Sequence, residues 1–206
     1  LNDRTAALRR GRWLPDRAAR SGEVVPMVGS TFSGNRGDMA SQPYNYDGTG
    51  FSLLRDKGRF VLPAQFRKTV KDSSGDKPLL CIDKHDRWPC LIGFGLSRKD
   101  GFEALLDRED DLAARRGEDF DRELRGVQLN GFARIPFDDS GRFVLPDYLA
   151  ELAAVEDQLY FQGAGQFFVI FSPANLTTMG KGWEGAQAAC RQLAAEAAGK
   201  VRGKPA

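Results

Sequence analysis

The pattern of apolar and polar positions predicts a chain of short strands and short helices. Residues 51–54 (Phe51-Ser52-Leu53-Leu54) read as a strand and 59–62 as a second, with Asp56-Lys57-Gly58 as the reversal between them. Pro63 cannot continue a ladder but suits the start of a helix, which the spacing predicts over residues 64–70. Phe66 and Val70 lie four apart on its core side. A polar loop is expected over 71–77, then a strand pair over 78–83 and 90–94.

The same order recurs after residue 130. Residues 131–137 read as a strand with Ala133, Ile135 and Phe137 on one face and Phe132 and Arg134 on the other. Pro136 has no N–H to donate, so this strand is expected at an edge, or to end early. Asp138-Asp139-Ser140-Gly141 is turn chemistry, 142–145 a strand, and Pro146 opens a helix over 147–153 with Asp147 in its first turn. Strands follow over 158–161 and 166–171, around Gln162-Gly163-Ala164-Gly165, and Pro173 ends the last. Between the two halves, Phe102, Leu105, Leu106, Leu112, Phe120 and Leu124 fall on a helical period among dense charge. They predict one or two amphipathic helices broken near Gly117. Residues 183–201 are Ala-rich and predict a helix with Cys190 and Leu193 on its apolar side.

The two halves share an identical hexapeptide, Gly58-Arg59-Phe60-Val61-Leu62-Pro63 and Gly141-Arg142-Phe143-Val144-Leu145-Pro146. Identity over a full strand-to-helix unit indicates duplication. One such unit is too short to bury a good core, so two must pack together, in one chain or between chains. The expected fold class is mainly β with short helices (α+β). The expected organisation is an N-terminal extension over 1–43, a first module over 44–98, a helical connector over 99–130, a second module over 131–178, and a C-terminal helix and tail over 179–206.

Charge refines this picture. The 206 residues carry a net charge of +2 and 41% apolar residues. Residues 1–43 hold seven Arg and four acids, a net of +3, so the remainder sums to −1 and any nucleic-acid site must be a local patch. This extension lacks a hydrophobic period and reads as disordered, with a short helix allowed near residues 5–20. Two meanings stay open: a basic tail on phosphates, or translation upstream of a natural start at Met27 or Met39. Six bases (Arg55, Lys57, Arg59, Arg67, Lys68, Lys71) and one acid, Asp56, surround the first hexapeptide. The second has Arg142 against Asp138, Asp139, Asp147, Glu151, Glu156 and Asp157. Phosphate contact needs cations, so the first half is the expected DNA face. The bland alternative puts Arg67 and Lys68 on a solvated face.

Other chemistry is sparse. Cys81, Cys90 and Cys190 form no CxxC pair and read as buried thiols in a reducing compartment. The lone His85 sits in a loop between acids. The sequence holds no P-loop, nucleophile elbow or dinucleotide fingerprint, so no enzyme, no cofactor and no metal site is expected. No apolar run approaches the ~18 residues of a membrane span, and the N-terminus lacks a signal-type apolar stretch, which together predict a cytoplasmic protein.

Asp-x-x-x-Arg followed by aliphatic strand residues and Pro, with its Arg-to-Pro part present twice, resembles the MraZ family of the AbrB/SpoVT-type superfamily. Cys81-Ile82-Asp83 before Leu91-Ile92, and Tyr160-Phe161-Gln162-Gly163 before Phe168-Val169-Ile170, are further matches. The likeness covers about residues 44–178. It implies two tandem swapped-hairpin AbrB-like modules, a homo-oligomeric ring, and nucleoid-associated repression through double-stranded DNA at guanine-rich direct repeats upstream of the division and cell-wall gene cluster. Carried over by residue, the contacts fall on Arg142, with Asp138 at the required spacing, and on Arg59; the charge count adds Arg55, Lys57, Arg67 and Lys68 as neighbouring cations, and Gly58 and Gly141 support the turns. The first half departs from the pattern: Arg55 stands where the Asp belongs. A rival reading is an oligomeric protein-interaction module that no longer reads DNA.

Overall fold

The computed structural model describes residues 44–202. The expectations for residues 1–43 and for the last four residues lie outside it. The first module supplies β1 (Thr49–Leu53), β2 (Phe60–Val61), α1 (Ala64–Ser73), β3 (Leu79–Lys84) and β4 (Leu91–Phe94). A 3-10 turn (Leu96–Gly101) then leads into α2 (Phe102–Arg116) and α3 (Arg122–Asn130). The second module supplies β5 (Ala133–Pro136), β6 (Arg142–Phe143), α4 (Asp147–Leu152), β7 (Gln158–Gly163) and β8 (Phe168–Phe171). Two helices follow, α5 (Pro173–Thr177) and α6 (Glu184–Arg202).

The two modules exchange their first strands. The sheet runs β1-β7-β8-β4-β3-β5, antiparallel throughout, so β1 completes the second module and β5 the first. Read from either end, this order is the same under the exchange of halves, which makes the duplication a pseudo-two-fold. The two hexapeptides meet on that axis: β2 pairs β6, with Phe60 opposite Phe143 and Val61 opposite Arg142. Neither module could close its sheet alone, which is the physical answer to their small size. β5 is an edge strand, as Pro136 requires.

Both faces of the sheet are covered, which explains the near-continuous apolar runs in β3, β7 and β8. On one face, α1, α4 and the β2–β6 ribbon bury Phe60, Leu62, Phe66, Val70, Phe143 and Leu149 against Leu80, Ile82, Phe161, Phe168 and Ile170. On the other, α2 and α3 cover Cys81 and Phe94, while α5 and α6 cover Tyr160, Val169 and Phe171. Gly117, in the left-handed region at φ 67°, ends α2 where the break is expected. All three cysteines are free and buried; burial pushes the Cys81 thiol up to about 11 and that of Cys90 to about 12.

Two local expectations need correcting, and one helix is added. The loop expected over 71–77 begins later, because α1 continues to Ser73. Ser73 and Ser74 are buried there and satisfied: the Tyr46 and Ser73 hydroxyls share a hydrogen bond of 2.9 Å, and Ser74 Oγ donates to the Leu79 carbonyl at 2.9 Å. The strands around the hexapeptides are only two residues long, since each leads directly into Pro and a helix. Beyond Pro173 the chain forms α5, where Ser172 caps the helix by accepting from the Asn175 N–H.

Candidate nucleic-acid interface

The β2–β6 ribbon carries the candidate site residues. Strand alternation sends Phe60, Leu62, Phe143 and Leu145 inward, where all are buried. The opposite parity points Arg59, Val61, Arg142 and Val144 outward. Val61 faces Arg142 across the ladder, and one more step of the same register sets Arg59 opposite Val144. Arg59 and Arg142 are therefore a diagonal pair on one surface, with Cα atoms ~7–8 Å apart by ordinary sheet spacing. Both line one open groove together with Arg55, Asp56, Val61 and Ser140. No group of residues suited to holding a metal ion occurs among the described residues.

The turns feeding the two arginines are built differently. In the second, Asp138 Oδ1 accepts from the Ser140 and Arg142 backbone N–H groups, each at 2.9 Å. The Arg142 guanidinium stands 3.6 Å from Asp138 Oδ2. The Arg142 N–H is the main cause holding this carboxyl below 3.8, and the charges of Arg142 and Arg59 act in the same direction. In the first turn Arg55 occupies the equivalent place and offers no acceptor. Closure there rests on the backbone: Arg55 N–H donates to the Arg59 carbonyl at 2.8 Å, and the return bond is 3.4 Å. Lys57 and Gly58 both take φ 64°, so a lysine sits in the left-handed region, at a cost of ~1–2 kcal/mol.

The remaining cations divide. Lys57, Arg55 and Lys68 are exposed. Arg67 is partly buried and donates from Nη1 to the Asp139 carbonyl of the second turn at 2.8 Å. Sequence reasoning missed this bridge, because its acceptor lies 72 residues away and carries no local signal. Gly58 and Gly141 occupy the positive-φ position of their turns, as the motif needs.

Because its folded pKa is depressed, Asp138 stabilises its turn fully above its unfolded value near 4, and the contribution disappears as pH falls through the folded value. Protection of the Ser140 and Arg142 amides, measured against intrinsic exchange at the same pH, is expected to fall on acidification below pH 4 and to be low at every pH in Asp138→Ala. Protection of both amides that does not change with pH would remove the carboxylate from the turn.

A strand-exchanged pair of β-β-α-β-β modules, joined by a ribbon that presents one arginine from each, defines a tandem swapped-hairpin protein of α+β class. The chain is 32% identical over 129 residues to the transcriptional regulator MraZ of Parvibaculum lavamentivorans, covering 63% of this chain and 76% of that one. It is 28% identical over 157 residues to that of Gluconacetobacter diazotrophicus, covering 76% and 94%. With that of Roseiflexus castenholzii it shares 30% over 120 residues, covering 58% and 76%. No family profile matches the chain. It belongs to the MraZ family.

Proposed function

We propose that the protein is a DNA-binding transcriptional regulator whose reading surface is the outward face of the β2–β6 ribbon. The observation that carries this is the placement of Arg59 and Arg142 together on one solvent-facing side of a two-stranded ribbon. The major groove of B-DNA admits such a ribbon, and an arginine fork matches the paired acceptors of a guanine edge. Arg55, Lys57 and Lys68 supply phosphate contacts beside it, which add affinity without adding sequence information. The relatives, each named a transcriptional regulator, support the same reading. In its full form the reading includes a homo-oligomeric ring, guanine-rich direct repeats as operator, the division and cell-wall gene cluster as target, and a nucleoid-associated place in the cytoplasm. The protein acts as a binder and not as a catalyst.

One observation favours the rival, a protein-interaction module. Val144, Tyr148 and Leu152 form an exposed apolar line on the second module, within its acidic surround. Fluorescence anisotropy with duplex from upstream of the protein's own gene separates the two. Binding is expected at low salt, with log K falling against log salt by about 0.9 per phosphate neutralised. Absence of binding at low salt overturns the regulator reading and leaves the interaction module.

A further inference from the structure

We propose that Arg67 is a positioning residue: from α1 of the first module it fixes the turn that presents Arg142 in the second, while the turn presenting Arg59 is left free to adapt. The geometry stands by itself; its consequence for DNA rests on the function proposed above.

The bridge is specific. Arg67 Nη1 donates to the Asp139 carbonyl at 2.8 Å, and its Nε is buried with no acceptor. The guanidinium lies against the backbone of Gly141. A methyl group at Gly141 would stand 2.7 Å from Arg67 Nε and 2.8 Å from the Leu62 carbonyl. Gly141 thus serves twice: it adopts φ 79°, and it makes room for an arginine from the other module. Its carbonyl also accepts from the Leu62 N–H at 2.8 Å, so α1 and the end of β2 grip this turn from two directions.

The offset between the hexapeptides identifies what is missing on the other side. It matches Phe66 with Leu149 and Val70 with Ala153, all buried. It also matches Arg67 with Ala150, and Asp138 with Arg55. Ala150 has no donor to extend to the first turn, and Arg55 has no carboxylate to hold it from within. A methyl group at Gly58 would have nothing within 4 Å. Among the described residues no side chain hydrogen-bonds to the backbone of residues 55–59. One recognition turn is held by an internal carboxylate and an external arginine; its pseudo-symmetric partner has lost both. On a duplex, Arg142 then acts as a pre-set element, and Arg59 settles after contact.

The test begins without DNA. In the full-length free protein, Arg67→Ala is expected to raise amide exchange at Gly141 and Arg142 by about 10-fold, as loss of a bond from a charged donor implies. Residues 55–59 and the central strands β7 and β8 should keep their wild-type rates, which excludes general destabilisation. Unchanged exchange at Gly141 and Arg142, or a uniform rise across the sheet, overturns the proposal. The second arm is a double-mutant cycle in DNA affinity. Arg67→Ala should weaken binding by about 5-fold in the wild type, but by less than about 2-fold once Arg142→Ala is present. Additive losses would make Arg67 an independent phosphate contact and overturn the positioning role. Failure of the wild type to bind DNA would sink the function reading, and the exchange result would then decide the positioning role alone.

Discussion

Replacing Arg59 with Ala is expected to weaken binding to operator DNA by roughly 5- to 150-fold, the range for losing one arginine fork on a guanine edge. Among the described residues Arg59 makes no ion pair, and its Nε is buried without a partner, which leaves its terminal nitrogens as the available donors. Arg142→Ala is expected to cost less. Its guanidinium already stands 3.6 Å from Asp138, and that half-exposed pair must be loosened before the arginine can serve DNA. The measurement is anisotropy at fixed salt, with size-exclusion chromatography to check that the oligomer is intact. Unchanged affinity in both variants would exclude the ribbon as the reading surface. A large loss confined to Arg142→Ala would reverse the ranking of the two modules.

Phe66→Ala is expected to cost ~3–5 kcal/mol, a large share of the ~5–15 kcal/mol that holds an ordinary domain together. Phe66 is 1% exposed and stacks on Phe168 at 4.8 Å, with Phe161 at 6.3 Å. The ring belongs to α1 of the first module, but both neighbours belong to strands of the second. Truncation therefore opens a cavity at the seam of the exchange, where two strands and a helix have fixed positions and little freedom to collapse. Urea denaturation should show a lowered midpoint with an unchanged slope. A loss under about 1 kcal/mol would mean that the seam repacks, and that the exchanged strands are held elsewhere.

Phe66 secures the packing that brings β2 beside β6; the role proposed for Arg59 depends on that ribbon. A weakened Phe66 variant should lose DNA affinity in proportion to its unfolded fraction, whereas Arg59→Ala should lose affinity in a folded protein.

The sequence determined most of the elements and named the candidate site residues. Short apolar runs bounded by turn residues located the β3–β4 and β7–β8 strands, Pro63 and Pro146 marked the helix starts, and Gly117 marked a break. These signals are local: they depend on a few neighbouring side chains and on backbone freedom at single residues. The repeated hexapeptide also identified which arginines to compare, and Asp138 opposite Arg55 in the repeat already showed that the two turns differ. What local signals do not carry is who pairs with whom. Nothing in residues 49–53 says that their partner is β7 and not a strand of their own module, because a strand edge offers the same hydrogen bonds to either. Only tertiary packing decided the exchange, since covering both sheet faces requires the two modules to be completed by each other. That exchange set Arg59 and Arg142 on one surface, and put Arg67 of one module against Gly141 of the other.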